Sequence, residues 1–225
     1  MMAFPELIVF DCDGVLVDSE MIANRLLAEH LTKHGFAITA EGSRNRFIGY
    51  SMAKIIAEVR AEGVNLPDDF EPFLKQSDQA IFATELKAIP GAFDTLSKLT
   101  QNKCVASSGA PDKIQKNLAL TNLINLFQSE HLFSAHMVKN SKPAPDIFLH
   151  AANHFGVNPK NCLVIEDTTL GIQAGMAANM TVFGFVGGSH CDAAYIQRLK
   201  DTGVKTVFHH MNELPELIAN SALAV

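Results

Sequence analysis

Short apolar segments alternate with segments of helical periodicity along most of the chain, and from Cys104 onward the order is strand, helix, strand, helix. Two parallel strands need a long connection, usually a helix, so this alternation predicts an α/β fold with a parallel sheet covered by helices on both faces. The run LIVF shows no polar alternation, which is typical of a central strand buried on both sides. The predicted strands lie in ELIVF, KCVAS, HLFSA, CLVIE, MTVFGF and KTVFHH.

Residues suited to helix termini mark the ends of two predicted helices. Pro145 stands where a first-turn proline is tolerated, and Gly156 stands where the chain needs a left-handed residue. Asn179 is placed to end the next helix, GIQAGMAA, in the same way. The tail LPELIANSALAV predicts a last helix that packs on the sheet.

Residues 18–87 do not follow the alternation of strands and helices. About seventy residues of mainly helical spacing, without a convincing strand, are too many for an ordinary connection between a strand and a helix. We therefore predict a helical bundle domain inserted at 18–87 into a sheet domain formed by 1–17 and 88–225, with Pro90 and Gly91 near the second boundary. The helical segments are SEMIANRLLAEHLTKHGF, SMAKIIAEVRAEG and DDFEPFLKQSDQAIFATEL.

Composition narrows the possible partners. The chain has 225 residues, 48% of them hydrophobic, and a formal net charge of −6, so it can bury a core but lacks the basic field that nucleic acid or an anionic membrane would need. Its apolar runs fall well short of the roughly 20 residues that span a bilayer, and its start does not resemble a secretory signal. We expect a cytoplasmic monomer or weak homodimer acting on a small molecule.

The four cysteines, Cys12, Cys104, Cys162 and Cys191, are scattered and form no CxxC pair. Two of them lie in apolar strand-like runs. Reduced thiols in the core are therefore favoured over a disulfide or a metal site.

An acid pair ends the first predicted strand. In extended backbone, alternate side chains share a face, so Asp11 and Asp13 can point into one site while Cys12 faces away. Gly14 permits the positive φ of a turn that leaves the sheet. Two carboxylates this close repel each other, so the pair makes sense if a cation lies between them or if one keeps its proton.

Other interpretations of this acidic segment remain open. A calcium loop of the EF-hand type shares the DxDG start, but it needs a preceding helix, and LIVF is not one. Asp18 and Ser19 are equally suited to cap the helix that follows. A phospho-accepting receiver module also uses an acid pair, a hydroxyl and a lysine.

Further polar residues follow later strands. Ser107 closes KCVAS and precedes SGAP, where small residues leave backbone N–H groups free to meet an anion. Lys142 lies in a strand-to-helix connection, and Glu166 and Asp167 close CLVI. Taken singly, these are ordinary caps and solvated charges. Together with the acid pair they form the set that handles a phosphoryl group with a magnesium ion.

Four motifs in this order carry a resemblance to a known family: DCDGVLVDSE, VASSGAP, NSKPAPDIF and VIEDTTLGIQAG. The chain resembles the haloacid dehalogenase-like (HAD) hydrolases, in the branch of sugar phosphatases and phosphomutases that carries a helical cap after the first strand. The resemblance covers the sheet domain well and the cap loosely. It implies a Rossmann-like core and Mg²⁺-dependent hydrolysis of a small phosphorylated sugar or sugar acid.

The resemblance also implies roles for individual residues. Asp11 would be the nucleophile that forms an aspartyl-phosphate, and Asp13 the general acid and base. Mg²⁺ would bind the carboxylates of Asp11 and Asp167 and the backbone carbonyl of Asp13. Glu166 is expected to support these groups without binding the metal. The phosphate would be bound by Ser107, the Ser108 N–H and Lys142.

Three alternatives to a phosphatase are weighed against it. The hexose-phosphate mutase branch has a histidine and an arginine where this chain has Ala23 and Met52, which favours a phosphatase over a mutase. A receiver would carry its acceptor on a later strand and span about half this length. A dehalogenase is disfavoured because Asp13 suits phosphoryl transfer. Glu20 and Arg46 of the insertion are possible substrate contacts, although such charges are more often solvated.

Overall fold

The structure is a computed structural model that describes residues 5–223, and the side chains of residues 5–221. The described chain forms two compact units. One contains the chain up to Asp18 and from Lys87 onward, and the other is Ser19–Leu86. The predicted domain boundaries lie one residue away from these two divisions.

The first unit is built on a six-stranded sheet in which all neighbouring strands are parallel, in the order β3-β2-β1-β4-β5-β6. Each of the six predicted segments forms a strand, so the predicted parallel α/β fold is confirmed. The strands are β1 Leu7–Phe10, β2 Asn102–Ser107, β3 Leu132–Ser134, β4 Cys162–Glu166, β5 Thr181–Phe185 and β6 Thr206–Phe208.

Strand β1 occupies the centre of the sheet, as its uninterrupted apolar run predicts. All four of its residues are fully buried, and Phe10 is in register with Val105 of β2 on one side and Ile165 of β4 on the other. The strand order reverses between β1 and β4. In open parallel sheets this reversal separates the loops at the carboxyl ends of the strands and creates the usual ligand crevice.

Helices cover both faces of the sheet. The crossover from β2 to β3 and the crossover from β4 to β5 run in opposite directions along the sheet, and right-handed crossovers then place their helices on opposite faces. Gly156 and Asn179 follow two of these helices with φ of 65° and 56°, as predicted. The helices of this unit are α5 Ala92–Lys98, α6 Pro111–Leu120, α7 Asp146–Phe155, α8 Thr169–Ala177, α9 Ala193–Asp201 and α10 Leu214–Leu223.

The second unit is helical and has its own apolar core. Its helices are α1 Glu20–Lys33, α2 Ala40–Phe47, α3 Met52–Ala61 and α4 Phe70–Glu85. The sequence did not single out α2, because AEGSRNRF is too polar to show an apolar stripe. This helix is instead started by the Thr39 hydroxyl, which accepts the Gly42 N–H, and it buries Phe47 in the core.

The predicted last helix forms as α10, and the last two residues of the segment lie outside the described residues. Over residues 5–223, none of the helices combines the length and the apolar character needed to cross a membrane.

Candidate active site

The acid pair lies at the end of β1 in a tight turn. The Asp11 N–H still pairs with the Ile165 carbonyl at 3.0 Å, and the Gly14 N–H donates to the Val17 carbonyl at 2.8 Å. Gly14 has φ of 82°, which confirms the predicted left-handed turn. The neighbouring Cys12 is fully buried. The two aspartates therefore lie at the carboxyl end of β1, beside the end of β4.

Lys142 is buried at the centre of the site. Its Nζ donates to Asp11 Oδ1 at 2.6 Å, to Glu166 Oε1 at 2.6 Å and to the Ala106 carbonyl at 2.9 Å. Burial alone would lower the pKa of Lys142, but the charges of Asp11 and Glu166 outweigh it and raise the pKa above the ordinary value. Lys142 is therefore a buried cation and not a solvated loop charge.

Glu166 anchors this lysine. It is fully buried, and while its Oε1 accepts from Lys142, its Oε2 accepts the backbone N–H of Thr168 at 2.9 Å and the Thr168 hydroxyl at 3.0 Å. A Cβ on Gly171 would lie 1.7 Å from Glu166 Oε1, so α8 approaches the carboxylate as closely as a glycine allows. Both oxygens of Glu166 are therefore occupied by protein donors.

Asp167 differs from Glu166 in this respect. It is fully buried, and within the described residues neither of its carboxylate oxygens meets hydrogen-bond geometry. His190 Nε2 approaches Oδ2 to 3.0 Å, but without a well-directed hydrogen bond. Burial, followed by the negative charge of Glu166, raises the pKa of Asp167 well above its ordinary value. A buried carboxylate without donors is stabilised by either a proton or a cation.

The excess of carboxylates over cations in the site favours the binding of a metal cation. Burial is also the largest cause that raises the pKa of Asp11, and the charges of Glu166 and Asp167 add to it against the opposing effect of Lys142. No three His, Cys, Asp or Glu side chains in residues 5–221 converge as a metal site. The predicted ligand set of two carboxylates and the Asp13 carbonyl does not need a third side chain, and the orphaned oxygens of Asp167 fit it.

Asp13 is held by helix α6. Its Oδ2 accepts from Lys113 Nζ at 2.8 Å and its Oδ1 from Asn117 Nδ2 at 3.3 Å. The sequence did not single out these two residues. The available signal was their spacing of four, which places both on one face of the helix that follows Ser107.

The loop after β2 adds hydroxyl and backbone groups at the same edge. Ser107 is buried, and its Oγ accepts the Gly109 N–H at 3.0 Å. A Cβ on Gly109 would lie 3.8 Å from Asp13 Oδ2, so this loop runs beside the acid pair. Ser108 is half-buried in the same loop. The predicted residues of the sheet unit are thus brought together at one edge: Asp11, Asp13, Ser107, Ser108, Lys142, Glu166 and Asp167.

The two candidates in the helical unit have partners within that unit. Glu20 opens α1, and its Oε2 accepts from Asn24 Nδ2 at 3.2 Å. Arg46 pairs with Glu62 and with Glu58. A role for Glu20 and Arg46 in substrate binding stays a prediction.

The alternative in which Asp18 and Ser19 cap helix α1 with their side chains is wrong. Ser19 occupies the N-cap position of α1, but its side chain makes no capping hydrogen bond. The Asp18 carboxylate instead accepts the backbone N–H of Ser189 at 3.1 Å and the Ser189 hydroxyl at 2.8 Å. Asp18 therefore fixes a distant loop and does not cap the helix beside it.

Three of the four cysteines lie in the core, as predicted. All four cysteines are free thiols, and Cys12, Cys104 and Cys162 are buried. His150 and His154 are exposed on α7. The sequence did not single out His190, which is fully buried beside Asp167.

The strand order, the cluster of charged residues at the carboxyl ends of β1 and β4, and the helical unit inserted after β1 define the class as an α/β protein with a helical insertion. The chain belongs to the haloacid dehalogenase-like hydrolase family, whose family model matches residues 8–185. The resemblance carried by the four motifs is thereby confirmed.

Similar proteins cover nearly the whole chain. The 6-phosphogluconate phosphatase of Escherichia coli (strain K12) is 35% identical over 214 residues, covering 94% of this chain and 94% of that protein. The runs LKAIPGA and NCLVIED also resemble those of 6-phosphogluconate phosphatases, and this identity confirms the likeness.

Solved structures agree in fold. A haloacid dehalogenase-like protein of unknown function from Agrobacterium tumefaciens is 37% identical, with a TM-score of 0.83 over 96% of this chain and 99% of that chain. A HAD family hydrolase from Deinococcus radiodurans, with bound phosphate and sodium, is 29% identical, with a TM-score of 0.77 over 98% of each chain.

Proposed function

We propose that this chain is a magnesium-dependent phosphatase that hydrolyses a small phosphorylated sugar or sugar acid through an aspartyl-phosphate on Asp11. The observation that carries the proposal is the buried Asp11 carboxylate, held by Lys142 beside an Asp167 carboxylate that accepts no hydrogen bond within the described chain. The resemblance to the 6-phosphogluconate phosphatase of E. coli supports the reaction and the class of substrate.

The charge balance of the site supports a requirement for a divalent cation. Among the side chains of residues 5–221, four carboxylates, Asp11, Asp13, Glu166 and Asp167, lie near two ammonium groups, those of Lys113 and Lys142. Two negative charges 4 Å apart repel by roughly 4 kcal/mol at an effective dielectric constant near 20, and a phosphate monoester dianion adds two charges. When bound there, Mg²⁺ would offset this repulsion and polarise the phosphoryl oxygens.

Two chemical steps follow for the residues of the chain. One carboxylate oxygen of Asp11 attacks phosphorus in line, a new O–P bond forms, and the bond to the sugar oxygen breaks. Asp13 donates its proton to the departing alkoxide. Asp13 then accepts a proton from the water that attacks the aspartyl-phosphate, which releases inorganic phosphate and restores the Asp11 carboxylate.

Lys142 orients the nucleophile, and the loop after β2 binds the transferring group. Lys142 fixes one oxygen of Asp11, so the orientation of the nucleophile is set before the substrate binds. The Ser107 hydroxyl and the Ser108 N–H supply hydrogen bonds to the phosphoryl oxygens as their charge changes. Glu166 holds Lys142 in place from the opposite side.

Phosphate release from a panel of monoesters, with and without Mg²⁺, tests the proposal. The panel contains 6-phosphogluconate, fructose 1-phosphate, a hexitol phosphate and phosphoglycolate. We expect magnesium-dependent release for at least one ester, loss of turnover in Asp11→Asn, and retained turnover in Asp94→Asn, which alters an exposed acid of α5. Wild-type rates in Asp11→Asn would contradict the nucleophile assignment, and an isomerised sugar phosphate in place of inorganic phosphate would indicate a mutase.

A further inference from the structure

His190 lies in the loop between β5 and α9, is fully buried, and contacts the candidate metal ligand Asp167. Its Nε2 lies 3.0 Å from Asp167 Oδ2. Its ring also meets the Tyr195 ring edge to face, with 5.0 Å between the centroids. Packing of an apolar core does not require a fully buried imidazole beside a fully buried carboxylate, because burial of polar groups is costly.

Glycines of two different loops close around this contact. A Cβ on Gly14 would lie 1.9 Å from Asp167 Oδ2 and 3.0 Å from His190 Cε1, and a Cβ on Gly188 would lie 2.7 Å from His190 Cε1. A side chain at either glycine would therefore collide with the imidazole, and we call this close surround of His190 the cage. Asp18 accepts two hydrogen bonds from Ser189 and so fixes the loop that carries this ring.

The neighbours of His190 indicate which nitrogen of its ring carries the proton. Nε2 lies 3.2 Å from Cys191 Sγ as well as 3.0 Å from Asp167 Oδ2. A lone pair on Nε2 would repel the carboxylate at this distance, whereas an N–H would attract it and leave the sulfur as a weak acceptor. The tautomer consistent with both contacts carries its proton on Nε2.

We propose that His190 is a positioning residue that orients the Asp167 carboxylate for the divalent cation. His190 would do this through the attraction between its Nε2–H and Oδ2, a 3.0 Å contact without the direction of a good hydrogen bond, and the carboxylate would keep its capacity to bind the metal. Tyr195 assists, because its hydroxyl donates to the backbone carbonyl of Asp167 at 2.9 Å. The inference rests on the proposed function, since it assumes a divalent cation at Asp167.

Binding of Mn²⁺ in place of Mg²⁺, followed by electron paramagnetic resonance of free and bound Mn²⁺ at one fixed pH, tests this role without measuring turnover. Mutation of a residue that orients a metal ligand from outside typically weakens metal binding by about 10- to 100-fold. We expect a loss of this size in His190→Leu. We expect substantial recovery in His190→Gln, whose amide reaches the position of Nε2, but not in His190→Asn, whose amide reaches only that of Nδ1.

Two controls separate the possible results. His150→Leu changes an exposed histidine of α7 and is expected to leave Mn²⁺ affinity unchanged, and Asp167→Asn is expected to abolish tight binding. Equal Mn²⁺ affinity in the wild type and Asp167→Asn would overturn the metal site itself, and the role of His190 with it. Loss of Mn²⁺ binding in Asp167→Asn together with wild-type Mn²⁺ affinity in His190→Leu would overturn only the role of His190.

A purely structural role gives a different pattern. In that case the Leu, Gln and Asn variants would lower the melting temperature of the metal-free protein, and their Mn²⁺ affinities would follow the melting temperature and not the position of the amide. If His190→Leu does not fold, the comparison of His190→Gln with His190→Asn decides, because both are polar and disturb the cage to a similar degree. Equal affinity in these two variants would overturn the proposal.

Discussion

Removal of the buried lysine at the centre of the site is expected to be far more costly than removal of an exposed lysine with a similar ion pair. Lys142 Nζ lies 2.6 Å from each of Asp11 Oδ1 and Glu166 Oε1, with 3% of its side chain exposed. Lys113 Nζ lies 2.8 Å from Asp13 Oδ2, with 39% of its side chain exposed. The Lys142→Met and Lys113→Met variants therefore compare similar distances at very different burial.

The expected magnitudes follow from that difference. Breaking a buried ion pair by removing one partner typically costs about 3–5 kcal/mol, because the remaining charge stays buried without compensation. An exposed pair contributes about 0–1 kcal/mol. At roughly 2–4 °C per kcal/mol for a domain of this size, Lys142→Met should lower the melting temperature by about 6–20 °C and Lys113→Met by no more than about 4 °C.

The loss in Lys142→Met should also depend on pH. Burial already raises the pKa of Asp11, and Lys142 is the group that opposes this rise, so its removal raises the pKa further. Between the ordinary carboxylate pKa and this raised value, the folded state binds more protons than the unfolded state, so stability falls as pH rises. Lys142→Met should therefore be least stable near pH 8 and partly recover toward pH 5.

Thermal and urea unfolding of the metal-free protein, followed by circular dichroism in the presence of a chelator, measure both effects. The chain contains no tryptophan, so intrinsic tryptophan fluorescence cannot serve. Equal losses in the two variants at pH 8, or a loss in Lys142→Met that is independent of pH, would refute the reasoning from burial.

Two further outcomes are expected. Because burial raises the pKa of Asp11 and of Asp167, protons compete with a divalent cation, and calorimetry should show Mg²⁺ or Mn²⁺ affinity increasing from pH 5 to pH 8 with release of protons; affinity that is flat or falls with pH would argue against these ligands. Gly171→Ala places a Cβ 1.7 Å from Glu166 Oε1, whereas Gly184→Ala meets nothing closer than 3.4 Å. The first substitution should therefore destabilise the protein by about 1–3 kcal/mol in urea unfolding and the second clearly less, and equal effects would show that Glu166 moves aside at little cost.

Local patterns were sufficient for the elements of the sheet unit and for most of its charged edge. A strand buried on both faces leaves a continuous apolar run, so LIVF and CLVI could be placed in the middle of a parallel sheet from their own composition. The carboxyl ends of parallel strands meet at one edge, so residues that directly follow these strands could be grouped before their distances were known. The polar helix α2 was not predicted because it lacks the apolar stripe on which such predictions depend.

The amino-acid sequence by itself determined the alternation of strands and helices, the positive φ at Gly14, and the acid pair at the end of the first strand. The tertiary structure alone decided that Lys113 and Asn117 hold Asp13, that Asp18 fixes Ser189, and that His190 lies against Asp167. The reason is physical. Backbone preference and apolar periodicity act over a few neighbouring residues, whereas these contacts join residues that are 23 to 171 positions apart and become neighbours only once the strand order brings their loops together.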